Sequence, residues 1–161
     1  MDATTERLLK EFAATPLSTR RAYLEAHKAE LTRARLRALS VETMGQAQAG
    51  LFAPATLGGQ FLELAGELAN EPLLRFDGAF LPAFLALVRG DGRTAYRLLN
   101  ALGKAILTYG MDAPDLTLCQ QILAVKRGAA AVLLGDMDAL TAALRESATL
   151  LAKAPNAVID A

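Results

Sequence analysis

Few residues of this chain have the type and spacing that chemistry needs. His27 is the sole histidine, and Glu30 is the one carboxylate close to it at helical spacing, so a metal site would have to be assembled from distant acids. A histidine so placed reads more simply as a helix-end residue near the last free carbonyls. Cys119 is the sole cysteine, followed by Gln120 and Gln121, with no basic neighbour until Lys126. A nucleophilic thiol needs a lowered pKa and a positioned base, so Cys119 reads as a small buried apolar residue. The acidic pairs Asp136/Asp138 and Glu63/Glu67 suit helix caps and exposed helix faces better than an acid–base dyad. Gly58-Gly59 and Gly90-Asp91-Gly92 lack the Lys-Ser/Thr or strand context of a phosphate loop. The expectation is a protein that is not an enzyme, with no metal and no cofactor.

Composition narrows the classes further. A chain of 161 residues fits one domain with a real core. Its apolar share is 53% with 6% aromatic and no Trp, so Ala and Leu build the interior through close helix contacts. Runs alternating with a period of two are rare and β-branched residues sparse, which predicts little or no sheet. Lys plus Arg (17) balances Asp plus Glu (17), leaving no field to hold nucleic acid. Arg20-Arg21 and Arg33, Arg35 and Arg37 make the first fifty residues mildly basic, in the manner of a solvated helix face whose stems cover apolar surface. One cysteine suggests a reducing compartment, MDATTERLLKEF does not have the layout of a signal peptide, and Ala79–Val88 is too short to span a bilayer. A cytoplasmic protein without membrane insertion is expected.

The elements are best read outward from Gln121–Pro155, where a small-residue helix runs into Gly135-Asp136 and a second striped helix follows. Glycine there supplies the positive φ that ends a helix, and aspartate accepts from the free N–H groups of the next. Upstream, Thr4 or Thr5 can cap a first helix carrying Leu8, Leu9 and Phe12; Thr15-Pro16 restarts the chain; a third helix covers about Thr32–Ala49. Pro54 opens a fourth, striped by Leu57, Phe61, Leu64, Ala65 and Leu68, whose Gly58 and Gly59 read as a close helix crossing. Asn70-Glu71-Pro72 ends it, and Asp77-Gly78 starts a fifth with Pro82 in its first turns. Gly90-Asp91 repeats the Gly-Asp turn before a sixth helix, Tyr109-Gly110 closes that helix, and Asp112-Ala113-Pro114 opens the seventh. The eighth is expected to bury Met137, Leu140, Leu144 and Leu151, with Pro155 stopping it before a tail, NAVIDA.

In QILAVKRGAAAVLLGDMDALTAALRESATLLA, Gly128, the Gly135-Asp136 turn, and Leu140, Leu144 and Ser147 resemble the tetratricopeptide-repeat family of helix–turn–helix solenoids. FDGAFLPAFLALVRGDGRTAYRLLNAL is similar in placing Gly90-Asp91, Ala95, Leu99 and Leu102 at the same points. LLKEFAATPLSTRRAYLEAHKAEL resembles the helical leader that precedes repeat arrays in large bacterial proteins, some with caspase-like peptidase domains. The resemblance implies an all-α, TPR-like solenoid of stacked antiparallel hairpins, seven or eight helices in a single domain 1–161, with a leader over 1–50 and hairpin repeats over 54–155. The two Gly-Asp turns lie 45 residues apart, against the family's repeat of about 34, so longer helices or an extra element at Tyr109–Pro114 are expected.

Such hairpins leave a concave surface formed by the first helix of each pair. On the family's pattern it takes Phe80, Phe84 and Val88 from one hairpin and Val125, Ala129 and Val132 from the next, with Arg89 and Lys126 at the rim. The function implied is a non-catalytic adaptor, scaffold or regulatory subunit holding a protein or peptide partner, or a second copy of the chain, in an apolar groove. The alternative is a closed bundle whose pocket senses a small apolar ligand.

Overall fold

The computed structural model describes residues 1–153, and the expected stop at Pro155 and the tail lie outside them. Among the described residues the chain is all-α, with eight α-helices and no strand. They are α1 (Ala3–Ala14), α2 (Arg20–Ala26), α3 (Arg33–Gln48), α4 (Phe52–Leu68), α5 (Pro72–Val88), α6 (Gly92–Ala105), α7 (Ala113–Leu134) and α8 (Met137–Lys153). Short 3₁₀ turns at Leu17–Thr19, Lys28–Glu30 and Ile106–Thr108 join some of them. Two compact units result, Met1–Pro82 and Ala83–Ala161, with their boundary inside α5.

Aspartates start the helices more often than the threonines do. Asp2, not Thr4 or Thr5, caps α1: its Oδ1 accepts from the Thr5 N–H at 2.8 Å. These bonds and Arg35 hold the Asp2 carboxyl down at about 2, led by the hydroxyl and amide of Thr5. A carboxylate accepts the orphan N–H more strongly than a hydroxyl, and that decides between the neighbours. Asp91, Asp112 and Asp136 do the same for α6, α7 and α8, at 3.0, 2.9 and 2.9 Å.

The fifth helix departs from the sequence expectation. It begins at Pro72, where proline's fixed φ suits a first helical position, and Asp77-Gly78 lies in its interior. Asn70, at φ 56°, provides the left-handed residue that ends α4 just before. Gly78 serves packing instead of a turn: a Cβ there would run into the Glu63 backbone N and lie 2.6 Å from the Gly59 carbonyl. Gly59 faces Leu81, and Gly66 faces the Arg75 backbone, where a Cβ would lie 2.8 Å from its Cα. Those pairs run in opposite senses along the two helices, so α4 and the first part of α5 are antiparallel and nearly touch through their backbones. Gly58 and Gly59 do mark a close crossing, as their sequence suggests; Gly58 admits Thr43 of α3.

The first unit closes around Leu8, Phe12, Leu24, Leu36, Leu39, Phe61, Leu62 and Leu74. Phe12 and Phe61 meet edge to face at 5.2 Å, and the Arg20 guanidinium covers the Phe12 ring at 4.6 Å. Several of its arginines tie separate segments together: Arg21 with Glu67, Arg33 with Glu71, Arg35 with Asp2.

In the second unit α6, α7 and α8 pack in sequence order. Gly92 lets the start of α6 approach the Ala130 carbonyl, and Gly103 lets its end approach Leu123 and Arg127, so α6 and α7 are antiparallel. Gly90 and Gly135 adopt φ of 75° and 67° at the two Gly-Asp turns, as their sequence requires. The long spacing between those turns has two sources: the extra 3₁₀ turn Ile106–Thr108 and the 22 residues of α7.

The burial expected of α8 is corrected. Met137, Leu144 and Leu151 are exposed and Leu140 is half-buried, while Ala143 and Leu150 are enclosed. The helix turns a face of Leu140, Ala143, Ser147 and Leu150 inward, because Ala143 can approach Gly128 of α7 more closely than a leucine could.

Candidate interaction face on the second unit

Val125, Ala129 and Val132 follow one another on α7 at intervals of four and three, which stacks them on one side of the helix. The inward sides hold Leu123, Ala124, Gly128, Ala130 and Ala131, all buried between α6 and α8. α7 is apolar nearly all round, and the face left over is therefore apolar too. Val125 keeps 57% of its surface in solvent, Val132 keeps 61%, and Ala129 is also exposed.

The last turns of α5 adjoin this stripe. The Lys126 ammonium sits 5.5 Å above the Phe84 ring, a cation–π approach that holds the half-buried ring and covers it with a charge. Val88 and Arg89, one turn on, are exposed. Seven of the eight residues expected to form a groove thus belong to the second unit: Phe84, Val88, Arg89, Val125, Lys126, Ala129 and Val132. Phe80 belongs to the first unit, where it is buried and stacks on Phe76 at 5.7 Å with rings 14° apart.

A second exposed stripe is one the sequence reading placed in the core. Met137, Leu144 and Leu151 of α8 repeat every seven residues on its outer side, with Met137 at 66% and Leu144 at 61% exposure. The heptad interval was a signal; a leucine-rich helix offers two overlapping stripes, and only packing chooses between them.

The residues first weighed for chemistry sit apart. His27 ends α2, its Nδ1 2.8 Å from the Tyr23 carbonyl and its ring 4.4 Å from the Tyr23 ring. Cys119 is buried in α7. Glu67 is drawn into pairs with Arg21 and Arg75, and its carboxyl is held below the usual range, chiefly by the Arg21 bond. Among the described residues no three of His, Cys, Asp and Glu cluster as metal ligands, and no helix is long and apolar enough to cross a membrane. No family model, no curated protein and no solved structure matches the chain.

Proposed function

We propose that the chain is a non-catalytic interaction module whose second unit takes an amphipathic helix of a protein partner along α7. The reading rests on one observation, the exposed apolar stripe Val125, Ala129 and Val132 beside the Lys126-covered Phe84. Residues at helical intervals match a partner helix that presents its own apolar side chains at i, i+4 and i+7. Lys126 and the exposed Arg89 bring positive charge to the edge of the stripe, so the fitting partner carries acids along its flank. An adaptor, scaffold or regulatory subunit in a TPR-like manner would act this way.

The test uses two fluorescent helical peptides with the same leucine stripe, one flanked by Glu and one by Lys. Anisotropy titrations should show the acidic peptide binding at least about tenfold more tightly, and Val125→Asp/Val132→Asp should remove most of that affinity while circular dichroism stays helical. Equal binding of both peptides, or undiminished binding by the double variant, would overturn the face.

A further inference from the structure

A concavity lies elsewhere in the second unit, formed by α6, α7 and α8. It has a volume of about 430 Å³, within the range that holds small molecules. Asn100, Gly103 and Lys104 reach it from one side of α6, at the i, i+3, i+4 interval, and Gln120, Leu123 and Arg127 from one side of α7, at i, i+3, i+7. Glu146 of α8 completes the wall.

Arg127 is held in place: its Nη2 donates to Glu146 Oε1 at 2.6 Å, it keeps 16% of its side-chain surface exposed, and its Nη1 lies 3.4 Å from where a Cβ of Gly103 would be. The missing side chain at Gly103 both opens the cleft and seats the guanidinium against α6. Among the described residues the ammonium of Lys104 and the carboxamides of Asn100 and Gln120 have no side-chain hydrogen-bond partner, although both amides are half-buried. Two amides and an ammonium whose donors and acceptors are open to one concavity suit a polar ligand.

The charge selects which one. Lys104 and Arg127 contribute two positive charges and Glu146 one negative, a net +1 among the lining residues. A monoanion balances that; a phosphate dianion would leave excess negative charge beside Glu146. Carboxamides supply both donors and acceptors for a neutral polar group, and Leu123 gives the apolar patch on which a short aliphatic part can rest. We propose that this cleft binds a small monocarboxylic acid that also carries a neutral amide or hydroxyl, of the kind an N-acylated amino acid represents. The carboxylate lies between Lys104 and Arg127, and the neutral group pairs with Asn100 and Gln120. This site is independent of the α7 stripe and does not require a protein partner.

The experiment follows the side-chain NH₂ signals of Asn100 and Gln120 and the Gly103 amide in ¹⁵N-labelled full chain at fixed ionic strength. N-acetylalanine, its neutral carboxamide and inorganic phosphate are titrated in parallel. Saturable shifts at these signals are expected with N-acetylalanine, with the neutral probe and phosphate each at least about tenfold weaker. Lys104→Met should weaken N-acetylalanine about tenfold without moving the unfolding midpoint, since Lys104 is exposed, and Lys104→Arg should restore most of the affinity. Shifts that rise linearly without saturating, that match for the charged and neutral probes, that favour phosphate, or that persist in Lys104→Met would each overturn the proposal.

Discussion

Two helix pairs in this molecule both carry glycine at their contact, and they use it differently. Between α4 and α5 the glycines Gly59, Gly66 and Gly78 are replaced in space by the other helix's backbone or by Leu81, so no side chain fits. Between α7 and α8 a Cβ on Gly128 would meet Leu140 at 3.5 Å and Ala143 at 3.7 Å, ordinary van der Waals contact. The first pair is held at backbone distance by shape; the second is held by side chains, Leu150 and Ala143 above all. A glycine in a helix costs about 0.5–1 kcal/mol relative to alanine, so the first pair recovers that cost through contact and the second does not.

The largest break in this comparison is Gly78→Ala. Its methyl would have to displace the backbone of α4 at Glu63, which cannot yield as a flexible side chain would. We expect a loss of about 3 kcal/mol or more, read as a fall in the urea midpoint, and loss of amide-exchange protection in α4 and α5. A change smaller than about 1 kcal/mol would mean that the two backbones can separate freely. Next in size, Leu150→Ala in the looser pair should cost about 2–3 kcal/mol through lost burial and the cavity left behind. Leu144→Ala, one register away and exposed, should cost less than about 0.5 kcal/mol. Similar costs for the two would restore the stripe first expected for α8. Gly128→Ala should move in the opposite sense to Gly78→Ala, raising stability by about 0.5–1 kcal/mol.

The same contrast explains what could be read from residues alone. The Gly-Asp turns were legible because their chemistry is local: a glycine at positive φ, then an aspartate accepting from an N–H three residues on. Asp77-Gly78 has the same letters and ends inside a helix, because Pro72 starts that helix five residues earlier and the glycine is needed for α4. That requirement comes from another helix, and the dipeptide cannot express it. The face of α8 was misread for a related reason. Burial follows the closest approach, which small residues such as Ala143 allow, whereas sequence patterning gives weight to the largest side chains. On α7 the residues Val125, Ala129 and Val132 were named only through the resemblance to a repeat family, and the structure leaves all three exposed; the Asn100–Gln120 cleft was not named, since it needs two helices brought together at Gly103.

The residue beside Gly78 on α5, Asp77, pairs with α3 and titrates away from its ordinary value. Asp77 is half-buried, and burial pushes its carboxyl above the ordinary 3.8, partly opposed by the Ser40 hydroxyl that donates to Oδ2 at 2.6 Å. A carboxyl raised in the folded chain keeps its proton to higher pH than in the unfolded chain. Its contribution to stability is therefore full below the unfolded value and lost as pH rises through the folded one. Asp77→Asn keeps an acceptor for Ser40 and removes the charge, so it should be more stable than the parent at neutral pH, with the difference closing as pH falls below 3.8. Asp2 provides the opposite sign: held down at about 2 by its cap bonds, it stabilises above the ordinary carboxylate range and loses that contribution as pH falls towards 2. Asp2→Asn should then be less stable than the parent at neutral pH and match it in strong acid. Urea midpoints of the two variants across pH 2–7 should diverge from the parent in opposite directions as pH rises. If both fall below it at neutral pH, Asp77 is held by its Ser40 bond as a cap would be, and burial does not govern its carboxyl.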